Sequence, residues 1–136
     1  TIPSWDWHRA RVDSARYSTV YRFTQRADAL KRLGATGRIA HLAAALDDIP
    51  GVGPWSVAET LQGFCGHPDA VSVGDYHLAH TVGFAFTGER TDDAGMLRLL
   101  APYAGHRQRV VRLIQEAGIH KPRYGARMSI PDYRDF

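Results

Sequence analysis

One run of five residues, Pro50-Gly51-Val52-Gly53-Pro54, constrains this chain more than any other. No regular element passes through it: the prolines lack an N–H, and the glycines give up the most conformational freedom on ordering. Before it, Ile39, Leu42, Ala43 and Leu46 recur at helical spacing. After it, Pro54 suits the first turn of a helix carrying Trp55, Ala58, Leu61 and Phe64. Residues 38–66 therefore read as helix, tight hairpin, helix. Gly51 and Gly53 can adopt left-handed conformations, and their bare backbone N–H groups can approach an anion. The hairpin ends at a helix N-terminus, where unpaired N–H groups and the dipole favour phosphate. Val52 is expected to point inward and lock the two helices. A plain helix–helix turn is the other reading of these residues.

The remaining pattern is helical too. Ser4 or Asp6 starts a short turn with Trp5 and Trp7. Asp13 is an N-cap candidate for a helix over about 13–33, with Val20, Phe23, Ala27 and Leu30 on one face and Gly34 and Gly37 as its breakers. Asp75 opens another helix, striped by Leu78, Ala79, Val82 and Phe86. Thr91 is the expected cap of a fifth, with Asp92 and Asp93 at its positive end and Met96, Leu97, Leu99 and Leu100 inside. A sixth spans about 106–116, and Gly118 closes it. Residues 119–136 lack helical pattern and read as an irregular, coil-rich tail. The expectation is an all-α fold of about six helices.

Composition sets outer limits. A chain of 136 residues fits one domain, 1–136. At 44% hydrophobic and 23% charged, wholesale disorder is excluded. No run of 18 apolar residues is present, so no membrane span is expected. The single cysteine, Cys65, excludes an intramolecular disulfide and a four-cysteine iron–sulfur cluster. Residues 1–32 carry seven Lys/Arg against three Asp/Glu, residues 33–104 three against eight, and residues 105–136 seven against three. Two basic ends flanking an acidic middle suit a polyanion, although solvated helix faces account for the charge equally simply.

The hairpin Ile49-Pro50-Gly51-Val52-Gly53-Pro54-Trp55, followed by Val73-Gly74-Asp75-Tyr76, resembles the helix-hairpin-helix DNA glycosylase superfamily. The nearest branch is 3-methyladenine DNA glycosylase II, which repairs alkylated bases. The resemblance spans roughly residues 5–116, and its specific parts are the hairpin and the aspartate segment. It implies a helix-hairpin-helix glycosylase domain and a monofunctional enzyme of base excision repair. That enzyme hydrolyses the N-glycosidic bond of 3-methyladenine-type purines in double-stranded DNA. Asp75, twenty-two residues after Gly53, matches the family's catalytic aspartate. Cleavage develops positive charge on the deoxyribose, and a carboxylate beside the sugar stabilises it and orients water. An aspartate at a helix start is also an ordinary cap, and the two roles can coexist.

By the same resemblance Trp55 lines the base pocket, where an indole stacks on a cationic purine flipped from the duplex. Tyr76 and Glu59 are further pocket candidates, with core packing and a surface charge as their plain readings. Gly51, Val52, Gly53 and Arg107 are expected at the DNA backbone. The Schiff-base lysine of bifunctional members falls at Trp55, and the only lysines are Lys31 and Lys121, so no lyase activity is expected. No side-chain metal site or required cofactor is expected. His77 and His80 lack supporting carboxylates and read as packing or phosphate contacts. The resemblance implies a monovalent cation, Na+ or K+, at the hairpin backbone. Other implied properties are a monomer, action on double-stranded DNA at the bacterial nucleoid in the cytoplasm, and no membrane partner. The family's amino-terminal β-rich segment and first helices have no counterpart here, so the chain is expected to be the carboxyl-terminal portion of a longer protein. The reading from another class is a non-catalytic helix-hairpin-helix DNA-binding module, and a third is a purely structural helical domain.

Overall fold

The computed structural model describes residues 2–119, and the expected tail beyond Ile119 lies outside them. The described chain is all α-helix, with no strand among the described residues. The order is α1 (Ser4–Arg9), α2 (Ser14–Ala35), α3 (Ile39–Asp47), α4 (Pro54–Cys65), α5 (Leu78–Thr87), α6 (Asp93–Leu100) and α7 (Arg107–Glu116), with a 3-10 turn over Ala101–Tyr103. The six expected helices are α2 to α7, and the short turn near Trp5 is the one-and-a-half-turn α1. No described helix is long and apolar enough to cross a membrane.

The apolar side chains form two adjacent cores. Leu30 of α2, Leu42 and Leu46 of α3, Ile49 of the hairpin and Leu61 of α4 make the first. Val71, then Leu78, Ala79 and Val82 of α5, Met96 and Leu100 of α6, and Val111 and Ile114 of α7 make the second. Full burial of each larger side chain is worth about 1.5–3 kcal/mol. The connector over 66–77 runs between them: Ala70 packs on the first core and Val71 belongs to the second. That connector positions the site.

Four local expectations need correction. Gly34 does not break α2; it lies inside the helix, where a Cβ would meet the Phe64 ring at 2.5 Å. The break comes at Gly37, with φ of +68°. The stripe on α2 is buried only at its carboxyl end: Leu30 is 6% exposed, whereas Val20 and Phe23 are 42% and 40% exposed. A 22-residue helix is about 33 Å long and overhangs the nine-residue α3 on which it packs. Phe64 and Phe86 are likewise exposed rather than core. The cap of α6 is Asp92, whose carboxylate accepts from the Gly95 N–H at 2.7 Å, not Thr91. Thr91 instead packs where Gly83 and Gly95 leave room, and its carbonyl meets His80 Nδ1 at 2.8 Å.

Candidate functional site

The hairpin is shaped by its neighbours. Gly51 has φ of +96°, and a Cβ there would collide with Thr19 Oγ1 of α2, so the residue is glycine on two counts. Gly53 departs from the expectation: it is extended (φ −112°, ψ 179°) and serves as the N-cap of α4. Lacking a side chain, it leaves the first N–H groups of α4 without a side-chain cap, whereas Asp13 and Asp92 fill that role on α2 and α6. Uncapped N–H groups at a helix start are an anion-binding surface. Val52 is half-buried and packs on the first core, as expected.

Hairpin carbonyls face α2. The Pro50 carbonyl accepts from Thr19 Oγ1 and Arg22 Nη1, both at 3.4 Å, and the Asp48 carbonyl from Arg26 Nη1 at 3.3 Å. These belong to the backbone stretch beside which the resemblance implies a monovalent cation. Among the described residues no group of three or more His, Cys, Asp or Glu side chains is placed to hold a metal.

Asp75 lines a cavity of about 350 Å³ between α4, α5 and α7, with Glu59, Gln62, Ser72, His77 and Gln108 among its other walls. The connector reaches this position through Gly74, at φ +88°, whose N–H is held by Asp93 of α6 at 3.1 Å. Asp75 does not open α5 directly, since the helix starts at Leu78. Its Oδ1 reaches forward to the His77 and Leu78 N–H groups at 2.8 and 2.9 Å, capping α5 from three residues away. Its Oδ2 accepts from the Trp55 indole at 3.2 Å. Burial pushes the Asp75 carboxyl up, but the two backbone N–H donors, the indole and the charge of His77 outweigh it, and the net direction is down. The group is an anion at neutral pH, and the donors hydrogen-bonded to it are all neutral.

Trp55 and Asp75, twenty residues apart, are thus brought into direct contact; Asp75 and Glu59 line the cavity, whereas Trp55 is 44% exposed and is not among its walls. Nor is Tyr76: it is 78% exposed, with its ring edge-on to His77. Arg107 is placed otherwise than expected. Its Nε and Nη2 both donate to Asp69, which also accepts from the Gly105 and Arg107 backbone N–H groups. The guanidinium faces the connector, and its exposed neighbour Arg109 contacts His106 instead.

Sequence reasoning missed a row of polar residues. Gln108 Nε2 donates to Gln62 Oε1 at 2.7 Å, Gln62 Nε2 to Ser72 Oγ at 2.8 Å, and the Ser72 hydroxyl to Glu59 Oε1 at 2.5 Å. A signal was present: Gln108, Val111 and Ile114 recur at three-residue spacing on the inward face of α7. No protein-family model, curated protein or solved structure matches the chain.

Proposed function

We propose that this chain carries the base-excising site of a monofunctional DNA glycosylase that removes alkylated purines from double-stranded DNA. The observation that carries the reading is the Trp55–Asp75 hydrogen bond, which sets an exposed stacking surface, on the helix that the hairpin starts, beside a carboxylate that lines the cavity. In this mechanism the hairpin N–H groups around Gly51 and Gly53 take a DNA phosphate. The damaged nucleotide swings out of the duplex, and Trp55 stacks on its positively charged base. As the C1′–N bond breaks, the electron pair leaves with the base and positive charge grows on the deoxyribose. The Asp75 carboxylate stabilises that charge and orients the water that adds to C1′. An abasic site and a free base result. The helix after the hairpin has Trp55 where a Schiff base would need a lysine, so strand cleavage does not follow. A monomer acting on DNA at the nucleoid completes the reading, and Arg107, bound to Asp69, has no part in it.

The test is release of methylated purines from alkylated duplex DNA. Wild-type release that Asp75→Asn reduces by about a hundred-fold or more supports the mechanism; undiminished release by the variant removes it. A second reading has its own observation. Both Asp75 oxygens are already hydrogen-bonded, as in a cap with no other duty. A non-catalytic DNA-binding module would bind duplex with steep salt dependence, release no base, and bind equally well after the Asp75→Asn substitution.

A further inference from the structure

The cavity beside Asp75 has a wall whose hydrogen bonds all point one way. The direction follows from donor inventory. Glu59 as a carboxylate can only accept, so the one proton of the Ser72 hydroxyl goes to it. Ser72 Oγ must then accept from the amide nitrogen of Gln62, which also donates to the Ala70 carbonyl at 2.9 Å. The Gln62 oxygen is left to accept from Gln108. Ser72 and Gln108 are 4% and 7% exposed, so the row is anchored in the packed interior and runs out to the exposed Glu59; it ties α7 to α4 through Gln108 and Gln62, and the connector to α4 through Ser72. It ends on Glu59 Oε1 and holds that side chain in one place. Among the described residues nothing donates to the other oxygen of Glu59, and the residue lines the open cavity. A second acceptor in the same wall is unmet: Gln108 Oε1 is buried and has no partner among the described residues.

We infer that Glu59 is the group that reads the ligand here, and that the site takes a heterocycle presenting two adjacent N–H donors, the edge of a guanine-type base, in preference to an adenine-type edge. The inference rests on the base-excising reading and names its substrate class. A guanine alkylated at N7 keeps N1–H and the N2 amino group side by side, and a fixed carboxylate accepts from both. An adenine alkylated at N3 offers one amino group flanked by a ring acceptor, which faces the carboxylate lone pair against lone pair. On that edge hypoxanthine offers one N–H, between a carbonyl oxygen and a C–H, and uracil one N–H between two carbonyl oxygens. Ser72, Gln62 and Gln108 are positioning residues: they touch Glu59 or one another.

The experiment is titration calorimetry of the 136-residue chain with the free bases 7-methylguanine and 3-methyladenine. The expected result is at least ten-fold tighter binding of 7-methylguanine. Glu59→Gln, which puts a donor where an acceptor stood, is expected to remove that preference. Ser72→Ala keeps the carboxylate but frees it to rotate, and is expected to cut the preference several-fold in a chain that stays folded, with a melting temperature lowered by the two lost hydrogen bonds; it decides the matter should the Glu59 variant fail to fold. Equal affinities for the two bases, no binding of either, or a preference that survives both substitutions overturns the inference. Failure of the excision reading looks different: alkylated DNA releases no base while the preference and its loss in the variants stand.

Discussion

Two aspartates of the same connector, Asp69 and Asp75, are held in opposite ways. Asp69 is gripped by the Arg107 guanidinium and by the backbone N–H groups of Gly105 and Arg107. Asp75 is gripped by two backbone N–H groups and an indole. Both carboxyls are pushed below the usual range, Asp69 far more strongly, first through its side-chain bonds to Arg107. The difference lies in what remains of the charge. Arg107 cancels the charge of Asp69, and the pair stitches the connector to the start of α7. Neutral donors hold Asp75 in place and leave its negative charge available to a cation arriving in the cavity. A carboxylate that is to stabilise developing positive charge needs partners of the second kind.

That contrast breaks most visibly under Asp75→Asn. Asparagine keeps an oxygen that can accept from His77 and Leu78 N–H, so chemical denaturation is expected to show a loss of no more than about 1 kcal/mol. Base release is expected to fall by two to three orders of magnitude, about 2.7–4 kcal/mol in the barrier, the scale on which a positioned electrostatic group acts. A stability loss as large as the catalytic one would make Asp75 a cap and nothing more.

Asp69→Ala is expected to give the reverse pattern. It strips the acceptor from two backbone N–H groups and a partly buried guanidinium, at a cost of roughly 1–3 kcal/mol. Because the Arg107 side chain is 34% exposed, the low end is favoured. Release of base per folded molecule is expected to stay within about two-fold. The pH dependence has a definite sign. A carboxyl whose native value is depressed contributes stability that is complete above its unfolded value, about 4, and is lost as pH falls below it. The stability gap between wild type and Asp69→Asn is therefore expected to narrow as pH falls below about 4 in denaturation series. A gap that stays constant down to about pH 2 would show that the ion pair is not its source.

How much of this is legible in the sequence follows from the range of each interaction. Caps and breaks are local, so Asp13 as a cap and the glycine hairpin read directly from neighbouring residues. Thr91 and Asp92 are both good caps one position apart, and the choice between them depends on where Gly83 and Gly95 leave room. Helical periodicity finds Leu30, Leu42, Leu61, Val82 and Leu100, but not the exposure of Val20 and Phe23, which depends on the length of the neighbouring helix. The resemblance, not any local pattern, assigns Trp55 and Asp75 to one site, and the contact between them appears only in the structure. Asp69 with Arg107, and Gln62 with Gln108, lie 38 and 46 residues apart. No periodic signal joins such pairs, and a polar residue on a helix reads by default as solvated.

The smallest expected effect sharpens the comparison most, because it touches the donors of Asp75 without touching its charge. Trp55→Phe keeps an aromatic face for stacking and deletes the indole N–H that reaches Oδ2. One hydrogen bond to a carboxylate is worth about 1.5 kcal/mol, so base release near neutral pH is expected to fall by about ten-fold or less. The pH profile tells a positioning role from a packing one. The indole is one of the groups lowering the Asp75 carboxyl, so its removal raises that carboxyl, and the acid limb of the profile is expected to shift to higher pH. At Asp69, where Arg107 and not an indole dominates, no substitution of Trp55 moves the acid-induced stability loss. An acid limb that stays in place while the rate falls would mean that Trp55 acts on the base alone, and that the backbone N–H groups of His77 and Leu78 are enough to hold Asp75.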